Sequence, residues 1–342
     1  MKIAQIAPPW LPVPPPAYGG IERVVAELAD GLTSRGHEVT LFAAGHSKTS
    51  ATLETTMFDP PEPGLIGNPW FDAFHALTSY LSIDDDFDVV HDHSGVVGPA
   101  LGSLLRGCPP VVHTLHGPWN EPTRRYYSLV HRHVHLVAIS ETQRTLNPDV
   151  RYAGVVYNGI DVDDYRFEPT KDDFLVYIGR ANPDKGPAVA IEVARQAGLP
   201  LAMIVKKEEE FERRYWDEAV APALHDEVEV FEHVEHEQKV DLLARARALV
   251  FPIDWPEPFG LVMTEAMACG TPVVARPRGA ATEIVEDGVT GYLRDSLEEL
   301  AAAAREARRC SPDECRHRVE DHFSARVMVE GYEDVFRAVA RG

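Results

Sequence analysis

The stretch EPFGLVMTEAMACGTPVV, residues 257–274, sets two acidic side chains into an otherwise apolar segment. Glu257 and Glu265 stand eight positions apart, and most residues between them are apolar. This pattern predicts partly buried carboxylates. A buried carboxylate needs a cation or hydrogen-bond donors, because removing a charge from water is otherwise costly. The stretch therefore predicts a binding site in which other parts of the chain supply the partners of these carboxylates.

The residues before this stretch predict where a helix begins. The apolar run LVFP (249–252) indicates a buried strand, and a loop follows it. Pro256 and Pro258 disfavour helical backbone for themselves and for the residues before them. We therefore expect the helix to begin near Gly260, with Glu257 in the loop at its mouth.

A helix that begins there predicts an anion site. The backbone N–H groups of Phe259, Gly260 and Leu261 would have no partner within the helix, and the positive end of the helix dipole would add to their attraction for phosphate. Glu257 would lie on one side of this phosphate and Glu265, about one turn inside the helix, on the other. Each carboxylate can accept hydrogen bonds from sugar hydroxyls. The alternative is a hydrolytic carboxylate pair, which needs the two groups to face each other across a glycosidic bond.

The rest of the chain alternates short apolar runs with helical patterns. KIAQIA (2–7), HEVTLFAA (37–44), DVVH (88–91), PVVHTL (110–115), HLVAI (135–139) and AGVVYN (153–158) predict strands in the first half, and FLVYIG (174–179), LAMIV (201–205), EVEVFE (227–232), LVFP (249–252) and PVVA (272–275) predict strands in the second. Helical patterns lie between them, as in 21–36, 187–198 and 237–248. Repeated strand–helix–strand units predict parallel sheets covered on both faces, with ligands at the carboxyl ends of the strands.

These patterns predict an α/β protein made of two Rossmann-like domains whose parallel sheets face each other across a cleft. The polar, turn-rich NGIDVDDY (158–165) marks the boundary, so that we expect domains over 1–160 and 161–323. The final helical pattern, 324–342, follows the second sheet, and we expect it to cross back to the first domain.

Composition and net charge argue against some classes of partner and site. The chain has 342 residues, 44% apolar residues and a net charge of −21. This charge argues against nucleic acid or an anionic membrane as a partner. The sequence has no apolar run of 18 residues and no CxxC pair, and its N-terminus reads as a strand rather than a signal peptide, so we expect a cytoplasmic protein without spanning helices or structural zinc.

Two further places are candidates for phosphate binding. Gly19 and Gly20 close a proline-rich loop after the first strand and open a helix, although a plain tight turn accounts for them equally well. Arg180 and Lys185 follow the strand FLVYIG and form a cationic pair at its carboxyl end, for which an ion pair on the surface is the alternative. The dinucleotide fingerprint GxGxxG is absent, which counts against an NAD site.

The quoted stretch resembles the Glu-x7-Glu motif of the retaining family 4 glycosyltransferases, which have the GT-B fold. The similarity extends over nearly the whole chain. It includes GGIER (19–23), NGID (158–161), the GR…KG segment (179–186) and EDGVTGYL (286–293), in the order and spacing of the family.

The resemblance implies roles for individual residues. Glu257 would contact the donor sugar, Glu265 the ribose, and Arg180 with Lys185 the departing diphosphate, while Phe259, Gly260 and Leu261 would offer N–H groups to sugar and phosphate. His116, in HTLHGPW, is similar to the family's active-site histidine, which contacts the donor sugar. Gly19 and Gly20 correspond to the glycine loop of the first domain. The family binds no metal, and we expect none here; the histidines of HDH (91–93) and HRHVH (131–135) are expected to be structural.

The nucleotide is less closely defined. The segment FEHVEHEQK (231–239) should line the base pocket, with Val234 as a contact. The turn KKEEEFERRYW (206–216) departs from the glycine-containing turn of many relatives, and we expect Lys206 to pair with the glutamates beside it. The sequence shows no residue pattern that would select guanine. A UDP-sugar is favoured over a GDP-sugar because UDP-sugars are the more frequent donors in the family.

The acceptor is defined by inference alone. A short, aromatic-rich first domain suggests a small or amphiphilic acceptor rather than a long polymer, and the Arg/Ala/Glu-rich composition suggests secondary metabolism, as in an antibiotic pathway of the orthosomycin (avilamycin) type. A lipid or saccharide acceptor is the alternative, as is a GT-B epimerase or hydrolase that acts on the sugar nucleotide without an acceptor.

Overall fold

A computed structural model describes residues 1–16, 19–57 and 59–341. The chain divides into two compact units. The first comprises Met1–Ile160 and the C-terminal segment from Ala325, and the second comprises Asp161–Ser324. Each unit is built around its own parallel sheet, and the two are described separately below.

The first unit contains seven strands within its described residues: β1 (Lys2–Ile6), β2 (Glu38–Ala44), β3 (Thr52–Met57), β4 (Val89–Asp92), β5 (Val111–Leu115), β6 (His135–Ala138) and β7 (Tyr152–Val155). Their order in the sheet is β3-β2-β1-β4-β5-β6-β7, and all neighbours pair in parallel. The order reverses direction between β1 and β4, which is where sheets of this kind bind ligands.

Helices connect these strands: α1 (Gly20–Ser34), α2 (Pro69–Ser82), α3 (Val97–Leu104), α4 (Glu121–Val130) and α5 (Glu141–Thr145). The central strands β4 and β5 are buried along their whole length, although they include His91, Asp92, His113 and Thr114, because helices cover both faces of the sheet.

The second unit contains six strands within the described part: β8 (Leu175–Arg180), β9 (Leu201–Lys206), β10 (Val228–Phe231), β11 (Ala248–Phe251), β12 (Val273–Ala275) and β13 (Gly291–Leu293). They lie in the order β10-β9-β8-β11-β12-β13, again with every pair parallel. The helices are α6 (Pro187–Ala197), α7 (Glu210–Tyr215), α8 (His236–Arg245), α9 (Leu261–Ala268), α10 (Ala281–Ile284), α11 (Leu297–Glu306) and α12 (Pro312–His322).

The last helix, α13 (Ala325–Val339), belongs to the first unit. The N–H of Ala325 donates to the carbonyl of Ile160 at 2.8 Å, so the chain leaves and rejoins this unit at adjacent points. On α13, Glu333 accepts hydrogen bonds from Arg35 (2.9 and 3.0 Å) and lies 2.9 Å from His37. Burial of its apolar face and these ion pairs fix α13 against α1.

The predicted fold class, two Rossmann-like domains with parallel sheets, is confirmed. The eleven predicted strands are present, and two further strands were missed. β3 is an exposed edge strand of sequence TLETTM without an apolar face, and β13 has only three residues. The segment 206–216 was predicted as a turn, but it contains helix α7, whose first turn is capped by Glu209 and Glu212.

Candidate active site

Glu257 lies in the loop between β11 and α9, and its side chain is 10% exposed. Oε2 of Glu257 accepts hydrogen bonds from Nζ of Lys185 at 2.5 Å and from Nε1 of Trp255 at 2.9 Å. The same lysine nitrogen lies 4.6 Å from the centre of the Trp255 ring. Carboxylate, cation and indole thus hold one another in place, which fixes the direction in which Glu257 can meet a ligand.

The backbone at Glu257 is fixed by Gly279. The N–H of Ala280 donates to the carbonyl of Glu257 at 2.9 Å. Gly279 has a φ of +54°, and a Cβ built on it would lie 2.3 Å from both the backbone N and O of Glu257. No side chain fits there, so the position of this loop depends on a glycine opposite it.

Helix α9 begins where the sequence predicts. Gly260 is its N-cap with φ 90° and ψ 65°, a left-handed conformation that favours glycine. The N–H groups of Gly260 and Leu261 have no hydrogen-bond acceptor within the described residues. The side chain of Phe259 is buried and packs edge-on against Phe323, with ring centres 5.9 Å apart. The helix mouth therefore has N–H donors available to an anion, which is the role predicted for it.

Glu265 lies one turn inside α9 and is also buried, with 7% of its surface exposed. Its Oε1 accepts hydrogen bonds from Nζ of Lys239 on α8 at 2.7 Å and from the hydroxyl of Tyr165 at 3.0 Å. The two glutamates of the motif are therefore each held by one lysine and one aromatic donor. Such partners offset the cost of removing a carboxylate from water.

Arg180 ends β8, and its side chain is bound by two glutamates rather than by the groups around Lys185. Its Nε donates to Oε1 of Glu212 at 2.5 Å, and its second amino group pairs with Glu209. Burial acts to lower the pKa of Arg180, but the hydrogen bonds to these two glutamates outweigh it and raise the pKa above its usual value. In this structure both predicted phosphate-binding cations are engaged by carboxylates, and their binding of a diphosphate stays a prediction.

The neighbouring strand ends carry further ion pairs. Nζ of Lys206 lies 3.1 Å from Glu208, which confirms the predicted pairing, and Nζ of Lys207 lies 2.9 Å from Glu232. Val234 is half-buried in the loop between β10 and α8. Its contact with a nucleobase stays a prediction.

Gly19 and Gly20 open α1 in the first unit. Gly19 is the N-cap, and a Cβ on it would lie 2.7 Å from Cγ of Pro15 and 2.9 Å from Cδ1 of Leu11. Close packing of the proline-rich loop therefore requires this glycine whatever binds nearby. Residues 17 and 18 of that loop lie outside the described residues.

His116 directly follows β5 and is the outermost member of a chain of hydrogen bonds. Its Nε2 lies 2.9 Å from Nδ1 of His93, and Nε2 of His93 lies 3.2 Å from Nδ1 of His91. Nε2 of His91 then lies 2.8 Å from Oγ1 of Thr114, which lies 2.8 Å from the hydroxyl of Tyr332 on α13. All except His116 are buried.

Burial makes these histidines neutral. It lowers the pKa of His116 to about 3, and it holds the pKa values of His91 and His93 well below their usual range, with neighbouring histidines adding to each shift.

Among the described residues, no group of three or more His, Cys, Asp or Glu side chains is arranged to hold a metal ion. Likewise, no helix in the described part is long and apolar enough to span a membrane.

Sequence reasoning missed several residues of this site. Lys239 and Tyr165 reach Glu265 from distant positions in the chain, and no local pattern marks them. Trp255 stands two residues before Glu257, and its position beside a buried carboxylate was a usable signal. Thr114 and Tyr332 are placed beside the histidines only by the fold.

Two family models match the sequence. "Glycosyltransferase Family 4" matches residues 18–164, and "Glycosyl transferases group 1" matches residues 163–321. Together they extend over both units.

Relatives over the full length carry several activities. Glycogen synthase of Mycobacterium tuberculosis is 26% identical, with 96% of this chain and 93% of the relative covered. Phosphatidyl-myo-inositol mannosyltransferase of Mycobacterium leprae is 25% identical, with 89% of this chain and 86% of the relative covered.

Solved structures share the fold. AviGT4, a glycosyltransferase involved in avilamycin A biosynthesis, is 28% identical with a TM-score of 0.76, over 100% of this chain and 98% of that one. HepE of Anabaena, solved in complex with UDP and glucose, has a TM-score of 0.76 at 21% identity, over 99% of this chain and 100% of that one. The matched models, the full-length relatives and the two parallel sheets agree, and the chain belongs to the glycosyltransferases of the GT-B fold.

Proposed function

We propose that this glycosyltransferase moves a sugar from a UDP-sugar to a hydroxyl of a small-molecule acceptor, with retention of configuration and without a metal ion. The observation that carries the proposal is the pair of buried glutamates on either side of the α9 N-terminus. Glu257 is fixed by Lys185 and Trp255, and Glu265 by Lys239 and Tyr165.

The chemistry of these groups suits a sugar linked to a ribose by a diphosphate. Carboxylates accept hydrogen bonds from sugar and ribose hydroxyls, while the N–H groups of Gly260 and Leu261 and the ammonium of Lys185 stabilise phosphate charge. Negative charge grows on the diphosphate as the glycosidic bond breaks. Donors placed there before the reaction lower the barrier because they need no rearrangement.

Retention and metal independence follow from the family resemblance. In this proposal the acceptor hydroxyl attacks from the face that the diphosphate leaves, and a phosphate oxygen takes the proton of that hydroxyl. Lys185, Arg180 and the helix mouth would supply the positive charge that a metal supplies in other transferases.

A small-molecule acceptor is supported by AviGT4, which is involved in avilamycin A biosynthesis and matches the chain along its whole length. UDP is supported by family frequency, and HepE, which shares the fold, binds UDP. The relatives that are named as glycogen synthase and lipid mannosyltransferase do not decide the acceptor.

The first experiment is calorimetric titration of UDP, GDP and ADP into the wild type, Glu265→Ala and Glu298→Ala, without added metal. Glu298 is an exposed residue of α11 in the same unit and serves as the control. We expect UDP to bind the wild type and the control at micromolar strength and to bind Glu265→Ala at least tenfold more weakly, in line with the loss of hydrogen bonds to a charged group. Equal affinity for all three proteins would contradict the ribose role of Glu265.

A second experiment addresses the reaction. UDP-sugars are screened against candidate acceptors, with and without EDTA, and NMR of the product gives the anomeric configuration. Retention and equal rates with EDTA support the proposal. Rapid release of UDP in the absence of any acceptor would favour the hydrolase or epimerase alternative.

One observation favours a second candidate, in which the acceptor is an amphiphile or a lipid. On α2, Trp70, Phe74, Leu77 and Leu81 recur at helical spacing and are exposed, Trp70 by 81% and Leu81 by 72%. The helix sequence contains no Lys or Arg, so this surface suits an uncharged or zwitterionic amphiphile better than an anionic one.

This candidate is tested by flotation with phosphatidylcholine vesicles and with vesicles containing anionic lipid. The variant Trp70→Ser/Leu81→Ser is compared with the wild type. Binding of the wild type that is lost in the variant would favour the amphiphilic acceptor. Absence of binding to both vesicle types, with UDP preferred in the titration, would leave the small-molecule acceptor as the proposal.

A further inference from the structure

The hydrogen-bonded chain behind His116 has a definite direction. A neutral imidazole has one N–H donor and one lone-pair acceptor. Because His91 and His93 are buried and neutral, each must donate to one neighbour in the chain and accept from the other. The protons of these two rings therefore point the same way, either outward towards His116 or inward towards Thr114.

The inner end decides which way. The hydroxyl of Tyr332 is fully buried, and Oγ1 of Thr114, at 2.8 Å, is its one hydrogen-bond partner among the described residues. With an inward direction, Oγ1 of Thr114 would receive the proton of His91, so the hydroxyl proton of either Thr114 or Tyr332 would have no acceptor among the described residues, and a buried unpaired donor is costly. Tyr332 therefore donates to Thr114, and Thr114 donates its own proton to Nε2 of His91.

Each ring then donates its proton outward, towards His116. His91 is protonated on Nδ1 and donates to Nε2 of His93, and His93 is protonated on Nδ1 and donates to Nε2 of His116. Nε2 of His116 is thus an acceptor, and the ring proton of His116 must be on Nδ1. No partner for this Nδ1 is found in the described part of the chain, and His116 is partly exposed.

We infer that Thr114, itself hydrogen-bonded to Tyr332, is the positioning residue that holds His116 in the Nδ1–H tautomer, so that this histidine presents a hydrogen-bond donor to a ligand. The inference rests on the proposed function only for the ligand, an oxygen of the donor sugar. It also excludes His116 as a general base, because its one lone pair is occupied by His93.

The tautomer can be measured directly in the intact protein. Protonated and unprotonated ring nitrogens have well separated ¹⁵N chemical shifts, and histidine-selective ¹⁵N labelling reports both nitrogens of each ring. His116→Gln assigns the signals of His116 by their loss. We expect Nδ1 of His116 to be protonated and Nε2 unprotonated in the wild type at neutral pH. A protonated Nε2 would overturn the inference, whatever the activity of the enzyme.

Three variants test the cause. In Thr114→Val/Tyr332→Phe no hydroxyl remains at the inner end, and we expect the Nε2–H tautomer of His116 to appear beside the other form. Tyr332→Phe alone keeps the proton of Thr114 and should keep Nδ1–H. Tyr127→Phe is the matched control, because Tyr127 bonds to a different buried histidine, His113, at 2.9 Å. Persistence of Nδ1–H as the sole form in the folded double variant would overturn the assigned role.

Turnover separates this inference from the proposed function. If the donor sugar meets His116, the double variant should lose kcat/KM in step with the fraction of His116 that leaves the Nδ1–H form, up to about tenfold for complete loss of one hydrogen bond, with unchanged UDP affinity. A tautomer change without any change in turnover would retain the positioning role and would contradict the contact between His116 and the sugar.

Discussion

Lys185 and Glu257 form an ion pair, with Nζ of the lysine 2.5 Å from Oε2 of the glutamate. Trp255 contacts both partners, through its N–H to the carboxylate and its ring face to the ammonium. The lysine is therefore held in one orientation before any ligand arrives. In the proposed function it would turn little to meet a diphosphate, and the glutamate would keep its place at the sugar.

Replacing Glu257 by Gln should impair transfer more than nucleotide binding. The amide keeps the size of the side chain but cannot neutralise Lys185 or accept two strong hydrogen bonds from sugar hydroxyls. We expect kcat/KM to fall about a hundredfold, the scale of losing a polar group that acts in the transition state. Initial rates with varied UDP-sugar give kcat/KM, and calorimetry gives the UDP affinity.

The control for this variant is Glu192→Gln, which removes an exposed ion pair with Arg195 in the same unit. It should leave both quantities unchanged. A parallel fall of UDP affinity and kcat/KM in Glu257→Gln would instead place this glutamate at the nucleotide.

Lys239→Met should lower both stability and nucleotide affinity. Glu265 is buried, and without Lys239 its carboxylate would retain the hydroxyl of Tyr165 but lose its cation. Breaking a buried pair in this way costs about 3 kcal/mol in the free energy of unfolding. Urea unfolding measures the loss, and titration with UDP measures the affinity.

Two further variants show whether the effect is local to this pair. Lys207→Met removes an ion pair with the exposed Glu232 and should cost far less. Lys239→Met/Glu265→Gln removes both charges, so stability should recover in part while UDP affinity stays low. Full recovery of affinity in the double variant would show that neither residue acts on the nucleotide.

Gly279→Ala should displace the Glu257 loop. The new Cβ would lie 2.3 Å from two backbone atoms of Glu257, and backbone cannot move aside as a flexible side chain can. We expect a loss of more than about 3 kcal/mol in unfolding free energy, together with loss of transfer.

Gly288→Ala is the matched control for this prediction. Gly288 also has a positive φ, +81°, but a Cβ on it meets nothing within 4 Å. It should cost only about 1 kcal/mol from backbone strain. Equal costs for the two variants would show that backbone strain rather than the close approach makes Gly279 necessary.

Stability should fall as the pH is lowered from about 6.5 to about 4. Burial lowers the pKa of His75 from 6.5 to about 4, and the neutral ring lies 2.8 Å from the carbonyl of Ala7 and 2.5 Å from Oγ1 of Thr56. Between these pH values the unfolded chain binds a proton at this residue and the folded chain does not. The stabilisation is therefore complete above pH 6.5 and is lost as the pH falls.

Each such histidine contributes a slope of up to about 1.4 kcal/mol per pH unit. Urea midpoints measured from pH 7 to pH 4.5 give the slope for the wild type. His75→Gln should reduce it by one proton. An unchanged slope in His75→Gln would mean that this ring is protonated in the folded state.

The fold was predictable to the extent that its strands are apolar and buried on both faces. β11 and β12, on either side of α9, are of this kind. Gly260 and the prolines before it made the start of α9 predictable. β3 was missed because an exposed edge strand needs no apolar face. β13 was missed because three residues are too few to show the alternation of a strand. Helix α7 was missed because its many acidic and basic residues are also typical of a charged turn.

The site was predictable where the chain itself places residues at strand ends or at a helix mouth. Glu257, Lys185 and Gly260 are of this kind. Their partners were not, because Tyr165 and Lys239 reach Glu265 through tertiary packing. The hydrogen-bonded chain behind His116 ends at Tyr332, which is more than two hundred residues away in sequence and contacts Thr114 only in the folded unit.

The return of α13 to the first unit has a consequence for biosynthesis. Because Ile160 and Ala325 are hydrogen-bonded neighbours, the whole of residues 161–324 is an insertion into the first unit. On the ribosome every residue of this insertion is synthesised before α13, while the first unit still lacks its closing helix. Tyr332, the inner end of the histidine chain, therefore joins the first unit only after the second unit has been synthesised.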